Sequence, residues 1–239
     1  IGREWRKNCE EERLLGVSLT GIMDSVLTNG KESGLEKRLE SLRAIAVETN
    51  LEFATLLKIP QSAAITCVKP SGTVSNLVDS ASGIHARHAD YYIRTVRADK
   101  KDPLAQMMLD AGFYAEPDVT RPEHTWVFYF PQKSPKNAIT RHERSALEQL
   151  EFWRVYQDHW CEHKPSATIY VKEDEWLDVG AWIYRNFDAV SGLSFLPNSE
   201  HIYQQAPYQD ITKAEYEEWV KKLPKSVEWA KLQNYEKTD

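Results

Sequence analysis

The sequence predicts an α/β fold. Three observations carry that expectation. Strand-like and helix-like tracts alternate for most of the chain. Pro and Gly punctuate the junctions between them. The 239 residues, 41% of them hydrophobic, are enough to bury a real core. Strands separated by helices imply crossover connections, and so a layer or barrel of mostly parallel strands.

The elements are expected in this order. "REWRKNCEEERLL" is highly charged and permits a helix. "LLGVSLTGIMD" (Leu14 to Asp24) changes to β-branched and small residues and reads as a buried strand ending in a loop. Leu35, Leu39, Leu42, Ala46, Thr49, Phe53 and Leu56 then recur at steps of three and four, placing one apolar stripe on a helix that Pro60 closes. Ser33 and Glu36 have capping-box spacing for its start. "AAITCV" is a short apolar strand, followed by Pro70-Ser71-Gly72-Thr73. A Gly-containing lead opens the Tyr/Ile/Val-rich strand around "YYIRTVR". Asp102 and Pro103 start a helix that ends at Gly112. "TWVFYFP" is a strand of bulky residues, and Arg141 to Pro165 a long helix. "SATIYV", "DEWLDVGAWIYRNF" and "AVSGLSFLP" repeat the strand–helix–strand order. A short charged helix follows over Lys213 to Lys222, and the chain frays at "NYEKTD".

Net charge is −6, with no polycationic face, which argues against direct binding of nucleic acid. No apolar run reaches the roughly 20 residues of a membrane span, and the first residues lack a signal peptide's apolar stretch. Three scattered cysteines, Cys9, Cys67 and Cys161, make no disulfide framework and fit a reducing compartment. The chain opens without Met inside a helix-like tract, as expected of a piece of something longer.

The chemistry-bearing residues concentrate in the turn after "AITCV". A strand that stops at Pro-Ser-Gly-Thr and enters a helix presents free backbone N–H groups. Gly72 lets a ligand approach, Ser71 and Thr73 add hydroxyls, and Lys69 adds charge, which together make a cradle for a phosphate. The same residues also make an ordinary turn, and spacing alone leaves both readings open. His159 and His163 share a helix face, but Cys161 points away from it, so a solvated helix end explains them better than a metal. Tyr91, Tyr92, Arg94 and Arg97 either wall a nucleotide or form the two faces of one strand. His85 and His88 sit in a Gly-led loop. Cys67 reads as buried, and Cys9 lies among three glutamates that blunt a thiol.

Four segments together resemble the adenosylcobalamin-dependent (class II) ribonucleotide reductases, in particular the monomeric ribonucleoside-triphosphate reductases. They are "LLGVSLTGIMD", "AITCVKPSGTVSNLV", "SGIHARHADYYIRTVR" and "VSGLSFLPNSEHIYQQAPY", in the family's order and at about its spacing. The resemblance implies the second half of a ten-stranded α/β barrel over residues 1–200, with a short helical C-terminal extension over 201–239. It implies that Pro70, Ser71, Gly72, Thr73, Val74 and Ser75 receive the phosphates of a ribonucleoside triphosphate substrate. It also implies adenosylcobalamin as radical source, a thioredoxin-like reductant, the N-terminal remainder of the same enzyme as partner, and a cytoplasmic role in making deoxyribonucleotides for DNA replication.

The departures from the family are as informative. The Asn-Pro-Cys-Gly-Glu string that carries the family's thiyl radical is absent, and none of the three cysteines lies in a family context. No catalytic or redox residue is therefore carried over, and this chain alone is expected to be inactive. Two alternatives remain: a non-catalytic nucleotide-binding or assembly module, and another radical-barrel enzyme of the glycyl-radical type.

Overall fold

A computed structural model describes residues 2–198 and 203–236 of the chain. In chain order the helices and strands are α1 (Arg3–Glu12), β1 (Val17–Ser18), α2 (Leu35–Leu57), β2 (Thr66–Cys67), α3 (Val74–Leu77), β3 (Tyr91–Asp99), α4 (Pro103–Asp110), β4 (Ala115–Pro117), β5 (Thr125–Lys133), α5 (Ala146–His159), β6 (Ala167–Val171), α6 (Trp176–Arg185), β7 (Leu193–Pro197), β8 (Tyr208–Asp210), α7 (Lys213–Lys222) and α8 (Leu232–Tyr235). The α/β expectation holds. Part of the last resembling segment, residues 199–202, and the terminal residues 237–239 lie outside the described residues.

Contacts group the chain into two compact units, Ile1–Arg87 with Lys136–Ser199, and His88–Pro135 with Glu200–Asp239. Residues 88–135 separate from the first body because β3 pairs with β5 along nine residues, and β8 then adds to β3.

The first unit carries the parallel strands. β1 pairs with β2 (Val17 with Thr66, Ser18 with Cys67), and β6 pairs with β7 along five residues. The far edge of β2 is not bare. The N–H groups of Glu162 and His163 both reach the Thr66 carbonyl at 3.0 Å, and Ser166 N–H reaches that of Val68 at 3.1 Å. That contact ends α5 at His159, short of the expected Pro165, because the backbone turns to pair with β2. The start of α5 is set by a capping box at Ser145 and Glu148, not at Arg141. Behind the strands, α5 buries Leu150, Trp153 and Tyr156 in a core with Leu35, Leu39, Val68, Ile169 and Trp182. The polar atoms of its aromatics are satisfied. Trp153 Nε1 donates to Pro165 O at 3.0 Å and Tyr156 OH to Thr28 O at 2.7 Å.

Two helical details differ from expectation. α2 starts at Gly34, whose φ of +82° suits glycine, with no side-chain cap, so Ser33 and Glu36 form no capping box. Of its apolar stripe Leu35 and Leu39 are buried, as is Ala54 beside it, while Leu42, Phe53 and Leu56 stay exposed. β1 is likewise exposed, not buried, because it is the outer strand of its two-stranded ladder.

The second unit holds an antiparallel sheet in the order β4-β5-β3-β8, which corrects the expectation of mostly parallel strands. Only residues 118–124 join β4 to β5, too short a link for a parallel crossover. Ile93, Val127 and Tyr129 form its core with Trp219 of α7, whose ring stacks on Tyr129 at 5.7 Å. Asp102 caps α4 as expected, accepting from Leu104 N–H at 2.8 Å.

Candidate phosphate-binding turn

The turn of interest lies in the first unit, between β2 and α3. The strand ends at Cys67 and the backbone bends through Lys69 and Pro70 into Ser71-Gly72-Thr73. It is held from one side by β1. Gly16, Ser18 and Thr20 alternate through β1 and its two flanks, and all three meet the turn. Ser18 Oγ accepts from Lys69 N–H at 3.0 Å, and Thr20 Oγ1 lies 2.6 Å from Ser71 Oγ. A Cβ on Gly16 would stand 3.4 Å from Lys69 Nζ, so the lysine stem runs across the bare glycine.

From the other side the turn is held by the loop Ser80–Ile84. Ser71 N–H donates to Ser82 Oγ at 3.0 Å. Gly83 N–H donates to Thr20 Oγ1 at 3.0 Å and to Ser71 Oγ at 3.2 Å. Gly83 has a φ of +54°, and a Cβ there would meet the Lys69 carbonyl at 2.8 Å. Only glycine lets these two backbones approach so closely.

The loop is anchored in turn. Arg87 is buried and donates to both carboxylate oxygens of Asp24 at 2.9 Å, and to Asp79 Oδ1 at 3.2 Å and Asp79 O at 2.7 Å. Asp24 Oδ2 also accepts from Ala81 N–H at 2.7 Å. His85 closes the far end: Thr168 N–H donates to its Nε2 at 3.0 Å, so its Nδ1–H is the donor to Ser82 O at 2.8 Å. This histidine is held on both ring nitrogens by the backbone.

The six residues expected to hold phosphates divide into two groups. Ser71 is half-buried and its hydroxyl faces Thr20. Ser75 is buried, and its hydroxyl donates back to Ser71 O. Pro70, Gly72, Thr73 and Val74 are exposed. The backbone N–H groups of Gly72, Thr73 and Val74 make no hydrogen bond among the described residues, whereas Ser75 N–H bonds Ser71 O at 3.0 Å. The open donors are thus three consecutive amides and the Thr73 hydroxyl. Gly72 needs neither a positive φ nor free space for packing, since a Cβ on it would have nothing within 4 Å.

The other candidate residues have structural partners. His163 Nε2 lies 2.7 Å from Leu15 O and 2.9 Å from Ala64 O, and His159 Nδ1 lies 2.7 Å from Glu40. No group of three metal-ligating side chains stands together among the described residues. Arg97 binds buried Asp118 at 2.7 Å, Arg94 lies over Tyr208, and Tyr91 packs on Tyr216. His88 Nε2 is 2.6 Å from Asp210 Oδ1. Cys67 and Cys161 are buried and Cys9 is exposed. Burial, then the nearby Cys67, pushes the Cys161 thiol up to about 12, so it is protonated at neutral pH and inert as a nucleophile.

No protein-family profile matches the chain. An adenosylcobalamin-dependent ribonucleoside-triphosphate reductase of Euglena gracilis is 31% identical over 93% of the chain. The same-named protein of Lactobacillus gasseri is 28% identical over 89% of it. A solved B12-dependent (class II) ribonucleotide reductase superposes on 98% of the chain with a TM-score of 0.86 at 25% identity. The chain resembles a ribonucleoside-triphosphate reductase of the adenosylcobalamin-dependent kind. It spans about a third of the curated relatives, 31% of the first and 32% of the second, and 36% of the solved chain. The likeness first seen in four segments of sequence therefore extends over nearly all of the chain and its fold. None of the described helices is long and apolar enough to cross a membrane.

The sequence pointed to the turn but not to its frame. Thr20, Ser18, Ser82 and Gly83 were not singled out. The alternation Gly16-x-Ser18-x-Thr20 was the available signal: small and hydroxyl residues at period two, where a strand otherwise carries apolar ones.

Proposed function

We propose that this chain is part of a ribonucleoside-triphosphate reductase, and that the Pro70–Ser75 turn holds the phosphates of the substrate nucleotide. One observation carries the reading. Three successive unpaired amides, those of Gly72, Thr73 and Val74, open beside a glycine that neither backbone conformation nor packing requires. Such a row of N–H groups is a concave anion site, and an exposed hydroxyl and a nearby lysine extend it. Relatives named for action on ribonucleoside triphosphates supply the matching anion.

The remaining roles belong to the whole protein. Its relatives are named adenosylcobalamin-dependent, and we assign the same cofactor to it, as the source of the radical. No residue of this chain is assigned to the corrin. The imidazoles of His85, His88, His159 and His163 all have protein partners, so none is offered to cobalt. The rest of a ten-stranded barrel, the redox cysteines and a thioredoxin-like reductant complete the proposal, in a reducing cytoplasm.

The test is nucleotide binding by the intact protein. Gly72→Val adds bulk where the structure has open space, so the fold persists while the anion is displaced. Thr73→Ala removes one bond to a charged partner, worth about 1.5–3 kcal/mol, or roughly 10- to 150-fold in affinity for CTP. Wild-type CTP affinity in both variants would refute the site.

A further inference from the structure

The hydroxyl protons around the turn can be counted. Thr20 Oγ1 has one proton, and the Ala81 carbonyl 3.1 Å away can only accept it. The Gly83 N–H also points at Thr20 Oγ1 and can only donate. The 2.6 Å contact joins the Thr20 and Ser71 hydroxyls in one short hydrogen bond, and when the Thr20 proton lies on the Ala81 carbonyl it is Ser71 that donates. Ser71 Oγ in turn accepts from Gly83 N–H at 3.2 Å. Although Ser71 lies within the turn, its hydroxyl is engaged by Thr20 and Gly83, and its N–H is bound to Ser82 Oγ.

We propose that Thr20 is the positioning residue of the phosphate turn: through Ser71 it fixes the backbone so that the amides of Gly72, Thr73 and Val74 face outward together. This rests on the reading of the turn as a phosphate site. Ser71 then acts as a tether and not as a ligand-binding group. The frame runs through β1 and its two flanks. Gly16 admits the Lys69 stem, Ser18 receives the Lys69 N–H, and Thr20 receives the Ser71 hydroxyl, each two residues further along. The contacts span about fifty residues of sequence, so they pin the turn to a strand that its local sequence does not fix.

The two roles for Ser71 predict opposite signs. If Ser71 bound phosphate directly, Thr20→Val would release its proton toward the ligand and tighten binding. If Thr20 positions the turn, the same substitution loosens it. The experiment measures binding of CTP, cytidine and inorganic triphosphate to the intact protein by calorimetry. The variants are Thr20→Val, Thr20→Ser, Ser71→Ala and Gly72→Val. The expected result for Thr20→Val is a roughly threefold to tenfold loss for CTP and triphosphate, the scale of one or two neutral hydrogen bonds. Cytidine binding stays unchanged, and Thr20→Ser restores the CTP affinity. Ser71→Ala reaches the same tether from the other side. It loses affinity to a similar extent and not additively with Thr20→Val, which keeps the test open if Thr20→Val fails to fold. Tighter or unchanged CTP binding in Thr20→Val, or equal loss for cytidine, overturns the proposal. If Gly72→Val also leaves CTP affinity intact, the phosphate site itself falls. If Gly72→Val weakens binding and the Thr20 and Ser71 variants do not, only the positioning role falls.

Discussion

Gly83→Ala should be the most damaging single-methyl addition near the turn, and its cost can be assembled from the structure. Gly83 has a φ of +54°, where an alanine is disfavoured by about 1–2 kcal/mol. The new Cβ would stand 2.8 Å from the Lys69 carbonyl, a backbone atom that cannot rotate aside. One of the two segments must move, which puts at risk the bonds from Gly83 N–H to Thr20 and Ser71. Losing them adds about 0.5–1.5 kcal/mol each, for a total of about 2–5 kcal/mol. Gly34→Ala is the internal control. Gly34 has a φ of +82° with nothing within 4 Å of a Cβ, so that variant bears the conformational cost alone. Urea unfolding of the chain, followed by tryptophan fluorescence, measures both. With a slope of about 1–3 kcal/mol per molar urea, Gly83→Ala lowers the midpoint by about 1–2 M and Gly34→Ala by clearly less. Equal midpoints for the two variants would refute the claim that close backbone approach, and not φ alone, requires glycine at position 83.

Two further outcomes follow from the charges and thiols. The Thr120 hydroxyl, then the Arg97 guanidinium, hold the Asp118 carboxyl well below the usual carboxylate range. The unfolded chain therefore takes up this proton first as pH falls: stability from Asp118 is complete above about pH 5 and declines progressively below about pH 4. Thermal midpoints of wild type and Asp118→Asn should differ most at neutral pH, the difference shrinking steadily as pH falls below about 4, and a difference that stays constant there would contradict this. Thiol labelling of the native chain at pH 8 should modify Cys9 quickly, and Cys67 and Cys161 only in denaturant, because both are buried. A second fast thiol would show that the segment pairing α5 to β2 opens readily.

Much of the fold was legible because local signals agreed with the final contacts. Asp102-Pro103 starts a helix by a mechanism confined to three residues, and α7 occupies Lys213–Lys222 as its pattern indicated, with Thr212 and Glu215 closing a capping box. Where the decision is tertiary, the reading departed from the structure. The α2 stripe shows helical period but not what covers it, and its Leu42 and Leu56 are exposed. Strand direction also depends on partners far away: β3 and β8 meet across more than a hundred residues, and nothing local distinguishes them from parallel strands. At the site the sequence identified the residues of the turn correctly as a polar bend, yet assigned the Ser71 hydroxyl outward. Its direction is set by Thr20 and Gly83, which lie 51 and 12 residues away.

This division has a consequence for how the turn evolves and fails. Recognition by backbone amides depends little on the side chains that carry them, so Val74 contributes its N–H whatever its side chain is. The sensitive positions are those that add bulk in front of the amides or shift the backbone behind them. Gly72 is of the first kind; Gly83, Thr20 and Ser82 are of the second. Three of these four never face the proposed ligand. The Asp24–Arg87–Asp79 clasp carries the same logic one layer deeper, since it holds the loop from which Ser82 and Gly83 reach the turn. A bidentate guanidinium–carboxylate pair buried there resists rotation in a way that one hydrogen bond does not, and removing either partner strands a charge in the interior. On the proposed reading, the specificity of the turn for an anion lies in the amides, and its precision in residues that hold one backbone against another.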